Sequence, residues 1–204
     1  MSNFINQFSK HLQSELNLNE ERTEVVIFGL YTFFSTVAGF AAVIVIGYLI
    51  GELKLSLTAA TTISIFRSVS GGAHSKQLRN CTILGAMVSP GIAIICKLVS
   101  PMLTVLVLSI IIAVVWLFSL RSVFEFAPAD TPKRPITRPD ERKKFRRLSF
   151  AFLIIWIIAV LMVLVLKPYL NGFILASTLG LLWQVYSITP DGYRLVNRFD
   201  KFLS

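Results

Sequence analysis

Apolar positions along the chain fall into two patterns, stripes at helical spacing near the ends and uninterrupted runs between them. Residues 4–18 set Phe4, Ile5, Phe8, Leu12 and Leu16 three and four apart, with Lys10, Gln13 and Glu15 elsewhere. That stripe predicts an amphipathic interfacial helix within 1–24 rather than a span. Val25 to Ile50 carries no charge and is long enough to cross a bilayer. Leu55 to Phe66 is shorter and threonine-rich, which predicts a weak span or a re-entrant helix. Leu78 to Ile95 is apolar after its first turns and holds Pro90, where a bend is expected. Met102 to Leu120, Leu148 to Leu166 and Gly172 to Ile188 are the remaining runs, and the tail "DGYRLVNRFDKFLS" alternates again at helical spacing. The pattern predicts an all-α fold. It is a polytopic membrane helical bundle with about six transmembrane or re-entrant helices, flanked by amphipathic N- and C-terminal interfacial helices. One membrane-embedded domain covers 1–204, with an interfacial helix (1–24), a segment of interest at 51–97, a basic loop (121–147) and an interfacial tail (189–204).

Composition agrees. Of 204 residues 54% are hydrophobic and 15% charged, and the mean hydropathy is +0.70, more apolar side chain than a soluble domain of this size encloses. The formal charge of +9 is therefore read as a membrane-facing feature and not as a nucleic-acid footprint. The segment 121–147 alone holds nine cations: Arg121, Lys133, Arg134, Arg138, Arg142, Lys143, Lys144, Arg146 and Arg147. Positive loops stay inside, so this segment is expected in the cytoplasm, and six spans put both termini there too. Only Lys54, Lys97 and Lys167 of the 20 Lys and Arg then fall outside. The first uninterrupted run begins at Val25, after an acid-containing amphipathic stretch, so no cleavable signal peptide is expected. Two cysteines, Cys81 and Cys96, make no disulfide framework.

One segment breaks the apolar pattern with chemistry. "FRSVSGGAHSKQLRNC", Phe66 to Cys81, carries one histidine and one cysteine at the predicted cytoplasmic boundary. A thiol attacks as thiolate, so a nucleophilic site must lower its pKa and supply a base. Cys81 falls in the first turns of a predicted helix, at the positive end of its dipole, and Arg67, Lys76 and Arg79 are near in sequence. His74 has an ordinary pKa of about 6.5, suited to proton exchange at neutral pH. Seven residues on one continuous helix would separate the two side chains by about 10 Å, beyond a hydrogen bond of about 3 Å. Pairing within one chain therefore requires the backbone to turn back, and Ser70-Gly71-Gly72 supplies the freedom; pairing across a dimer interface is the alternative. The glycine amides are also candidate oxyanion donors. Against this stands packing, the ordinary role of a cysteine in a membrane helix. Cys96, in "GIAIICK" with no histidine nearby, is assigned to packing, and His11 to a helix surface. No further Cys or His completes a tetrahedral metal site, and no metal or other cofactor is expected.

Together these residues carry a resemblance. "RSVSGGAHSKQLRNC" resembles the Arg…Gly-Gly-x-His-x(6)-Cys signature of the AgrB family, the accessory gene regulator B membrane proteases of Gram-positive bacteria. "FAPADTPKRPI" at 126–136 resembles a second family block, and the two stand in the family's order over nearly the whole chain. The resemblance implies a cysteine endopeptidase of the bacterial cell membrane, multi-pass, with its active site on the cytoplasmic side. It would cleave an AgrD-type propeptide near its C-terminus and close the product to a thiolactone or lactone, the precursor of a quorum-sensing pheromone. By this match Cys81 is the nucleophile and His74 the base and then the acid, with Arg67, Ser70, Gly71 and Gly72 in support; a homodimer is the expected assembly. Lys133, Arg134, Lys143 and Lys144 are candidates to attract the propeptide's acidic tail, or they fix topology only. Ser70, Asn80, Asp130 and Gln184 are candidate orienting groups, Asp130 reading equally as a turn cap. Two rivals remain: a small peptide transporter, disfavoured because no span centre carries a charge, and a non-enzymatic scaffold binding anionic lipid.

Overall fold

The structure is a computed structural model that describes residues 20–73, 78–129 and 138–202. Among these residues there are seven α-helices and no β-strand: α1 Glu20–Leu49, α2 Leu53–Ser70, α3 Leu78–Val99, α4 Val105–Phe126, α5 Pro139–Leu166, α6 Asn171–Ser187 and α7 Pro190–Phe202. The N-terminal stripe, His11 included, lies outside the described residues.

α1 to α6 run alternately between two ends of a bundle. At one end a left-handed Gly51 (φ 74°) closes α1, and Glu52 pairs with Lys97 of α3 at 2.8 Å. Gly172 of α6 approaches Leu55 and Ser100 there. At the other end Gly71 bridges Ala129, the Ala73 amide donates to Ser187 O, and Arg146 donates to Ala127 O. The α2–α3 junction thus lies with the α4–α5 and α6–α7 junctions, and this pair traverses the bundle instead of turning back inside it.

Three described segments are long and apolar enough to cross a membrane, Thr82–Met102, Val105–Phe126 and Pro139–Leu166. Pro168–Ser187 with Pro190–Phe202 makes a fourth if that bent pair counts as one, and Phe33–Leu49 is a shorter apolar helix. α2 falls short of such a test because it is rich in serine and threonine, and packing explains why that is tolerated: α1, α3, α5 and α6 all lie against it. Its polar groups are met inside the bundle. Thr62 and Ser177 share a hydrogen bond of 3.0 Å, and Trp156 Nε1 donates to Ser177 Oγ at 2.9 Å, which ties α2, α5 and α6 together in the way polar side chains join membrane helices. Phe66 stacks on Phe152, with ring centroids 4.9 Å apart. Outward faces of α4 and α5 expose Leu106, Ile110, Val114, Ile155, Ile158 and Val165, an apolar belt that suits lipid.

α2 and α6 run side by side, and small residues let them approach. A Cβ at Gly180 would lie 3.0 Å from Ala59 O. Overpacking of this kind costs about 1–3 kcal/mol, so Gly180→Val should lower the thermal midpoint of the detergent-solubilised chain clearly more than Gly85→Val, whose Cβ has nothing within 4 Å. Equal midpoints would contradict the close α2–α6 contact.

The basic segment differs from expectation. Of 121–147, residues through Phe126 belong to α4, and Pro139 onward forms the first turns of α5, so Arg142, Lys143, Lys144, Arg146 and Arg147 are helical rather than loop. Pro139 at the first position and Asp140 and Glu141 in the first turn favour a helix start there. The tail is also a helix. α7 turns 87° from α6, Thr189 Oγ1 accepts the Gly192 amide at 3.2 Å, and Pro190 opens the helix.

Candidate functional site

The site is built on the strap that leaves α2. The helix stops at Ser70 because Gly71 (φ 70°) and Gly72 (φ 146°) adopt backbone angles that side chains disfavour. The Gly71 amide closes the last turn on Arg67 O at 3.0 Å. From there four residues hold the main chain. Ala129, in the segment after α4, donates its amide to Ser70 O at 2.8 Å and forms a parallel bridge with Gly71. Gln184 of α6, fully buried, donates through Nε2 to Gly71 O at 2.7 Å and to Ser70 Oγ at 3.2 Å. Ser187 O accepts the Ala73 amide at 3.0 Å. Arg67 reaches forward from α2 and donates through Nη2 to Ala73 O.

Both glycines are sterically required. A Cβ on Gly71 would collide with the Ala129 carbonyl, and one on Gly72 would lie 2.8 Å from Ser187 Oγ and 3.1 Å from Gln184 Nε2. The two sequence blocks, about sixty residues apart, therefore meet: Ser70-Gly71 of the first packs backbone to backbone against Ala129 of the second. Arg146 of α5 steadies that second block by donating to Ala127 O at 2.8 Å.

Among the described residues the strap runs from Ser70 to Ala73, and α3 is described from Leu78. His74 itself, with Lys133, Arg134 and Asp130, lies outside the described residues. Cys81 is the fourth residue of α3, at the positive end of the helix. Its neighbour Asn80 is buried and donates to Asp200 Oδ1 of α7 at 3.1 Å. Lys143 and Lys144 are exposed on the first turns of α5, at the same end of the bundle. Cys96 is fully buried, fifteen positions and about 22 Å further along the same helix at 1.5 Å per residue.

The arrangement corrects the weight given to individual residues. Gly71's amide is committed to Arg67 O, so that group is spent on ending the helix. Arg67 acts on the backbone that leads to His74, and Gln184, one orienting candidate among several, is the side chain that clamps the strap. Asp200 escaped sequence reasoning altogether, because a carboxylate in an amphipathic tail reads as a surface group.

A membrane bundle with this strap has counterparts in sequence. The family model described as "AgrB: Accessory gene regulator B" matches residues 5–188. A "Putative AgrB-like protein" of Clostridium perfringens (strain SM101 / Type A) is 31% identical over 210 residues, covering 99% of this chain and 97% of that one. A "Putative AgrB-like protein 2" of Clostridium perfringens (strain 13 / Type A) is 30% identical over the same shares. A relative in Listeria monocytogenes serotype 4a (strain HCC23) is 30% identical over 181 residues, 88% of this chain and 83% of its own. No solved structure matches. The chain belongs to the AgrB family. Membership supports a role in the accessory gene regulator system of quorum sensing.

Proposed function

We propose that the chain is a membrane-embedded cysteine endopeptidase and cyclase for an AgrD-type propeptide, with Cys81 as nucleophile and His74 as general base and acid. The observation that carries this is the strap itself. The main chain leaves α2 at Gly71 and Gly72 and is tied from Ser70 to Ala73 to α6 and to the segment after α4. It ends one residue before His74, with Cys81 in the first turn of α3.

In this scheme His74 takes the Cys81 proton and the thiolate attacks the scissile carbonyl. The amide bond breaks as His74 returns that proton to the leaving amine, and the C-terminal tail departs, leaving an acyl thioester on Cys81. An internal thiol or hydroxyl of the bound peptide then loses its proton to His74 and attacks the thioester. A thiolactone or lactone forms, and Cys81 leaves as thiolate and is reprotonated. Acylation is uphill, since an amide is more stable than a thioester, and the second exchange is nearly balanced for a thiol. Exclusion of water protects the intermediate, and removal of the tail draws the reaction forward. Lys143 and Lys144 with Lys133 and Arg134 attract the tail. The end of the bundle bearing the strap faces the cytoplasm, by the charge asymmetry.

A chain whose one cysteine is Cys81, made by Cys96→Ala, should cleave a synthetic propeptide in proteoliposomes and release a cyclic product and a free tail, read by mass spectrometry. Loss of cleavage in a folded Cys96→Ala chain, or linear peptide as the sole product, would contradict the scheme.

A further inference from the structure

Three residues of α7 are buried, Gly192, Val196 and Asp200, at spacings of four. Two of them suit a helix docked on a bundle end. Gly192 is pressed against the Tyr186 and Ser187 backbone, and Val196 is an ordinary apolar contact. The third is a carboxylate, 4% exposed, in a place where an apolar side chain would dock at lower desolvation cost. It meets Asn80, 1% exposed, whose Nδ2 donates to Asp200 Oδ1 at 3.1 Å. Asn80 Oδ1 is also buried and finds no partner, so the amide gives up part of its hydrogen bonding in keeping this position. Asn80 is the residue before Cys81, in the opening turn of α3.

We propose that Asp200 is a positioning residue for Cys81: through its buried bond to Asn80, α7 fixes the rotation of the helical turn that carries the thiol. The inference rests on Cys81 being the nucleophile. Side chains on a helix turn together, so releasing Asn80 lets the first turn of α3 fray and Cys81 drift. A nucleophile misplaced by about 1 Å loses rate rather than substrate affinity. The C-terminal helix thereby becomes part of the reaction centre and not merely a membrane anchor.

The test uses the full-length chain with Cys96→Ala in proteoliposomes and two readouts, kcat and KM for propeptide cleavage and the rate of iodoacetamide alkylation at Cys81. Asp200→Leu should keep α7 docked, with the thermal midpoint lowered only modestly by the acceptor that Asn80 Nδ2 loses. It should cut kcat at least about tenfold with KM little altered, the signature of lost geometry, and change the alkylation rate. Asp200→Asn, which still accepts from Asn80, should retain most of the wild-type kcat. Asn80→Ala added to Asp200→Leu should cost little more. Wild-type kcat in Asp200→Leu would overturn the proposal, and so would a failure of Asp200→Asn to restore it. An equal kcat loss in Val196→Ala, which weakens docking without touching Asn80, would reduce Asp200 to a structural role and overturn it as well. These outcomes are separate from the nucleophile assignment, which fails if Cys81→Ala still cleaves.

Discussion

Cys81→Ala should abolish propeptide cleavage, a loss of at least about a thousandfold, because a covalent route has no substitute for its nucleophile. His74→Ala should lose about 10²–10⁴-fold, the usual share of proton transfer. The double variant should be hardly worse than Cys81→Ala, since the two act as one unit. Insertion and folding of both single variants are checked alongside by the thermal midpoint, so that lost cleavage is read only in folded chains. Cleavage of a co-expressed propeptide, followed by immunoblotting, checks all three. A transporter or a lipid-binding scaffold would have no reason to lose cleavage in both. Retained cleavage in either single variant would therefore remove the enzymatic account in its present form.

The second large effect is expected at Gly72. Its φ of 146° is unfavourable for any side chain, and a new Cβ would press on Ser187 Oγ and Gln184 Nε2. Gly72→Val must either push α6 away or move the strap, and the strap ends at Ala73, next to His74. Displacing the base by about 1 Å would cost on the order of a hundredfold in kcat. Gly85→Ala, with open space around it, should be indistinguishable from wild type. The separation of the two, measured as kcat in proteoliposomes alongside the thermal midpoint, distinguishes a geometric requirement from general tolerance of glycine loss. A fully active Gly72→Val would show that the strap does not hold the base.

Much of the fold could be read from apolar runs, because a span leaves a long uncharged signature. Val25 to Ile50 maps onto α1 and Gly172 to Ile188 onto α6. The beginning of α5 was hidden for an electrostatic reason. Pro139 to Arg147 is too charged to look like part of a span, yet acids in the first turn and solvent-facing cations such as Lys143 and Lys144 leave the helix no cause to stop. α2 was ambiguous because its hydroxyls look like a break in an apolar run, whereas the surrounding helices accept them. Within the site, His74 and Cys81 were visible as chemistry interrupting grease. The backbone pairing of Gly71 with Ala129 was not, since no local periodicity encodes contact between segments so far apart in sequence. Gln184 left a weak signal as a lone amide in "LLWQVY". Asp200 left none, for a buried acid in an amphipathic stripe has the same pattern as an exposed one.

The central claim is that the peptide passes through a thioester on Cys81. Its most direct measurement is mass spectrometry of the chain quenched in acid during turnover with a propeptide whose internal Cys or Ser is replaced by Ala, so that cyclisation is blocked and the intermediate accumulates. The account predicts an adduct of the N-terminal peptide fragment on Cys81, cleaved by hydroxylamine and absent from His74→Ala. An adduct on Cys96, or continued release of the tail with neither cysteine modified, would contradict it.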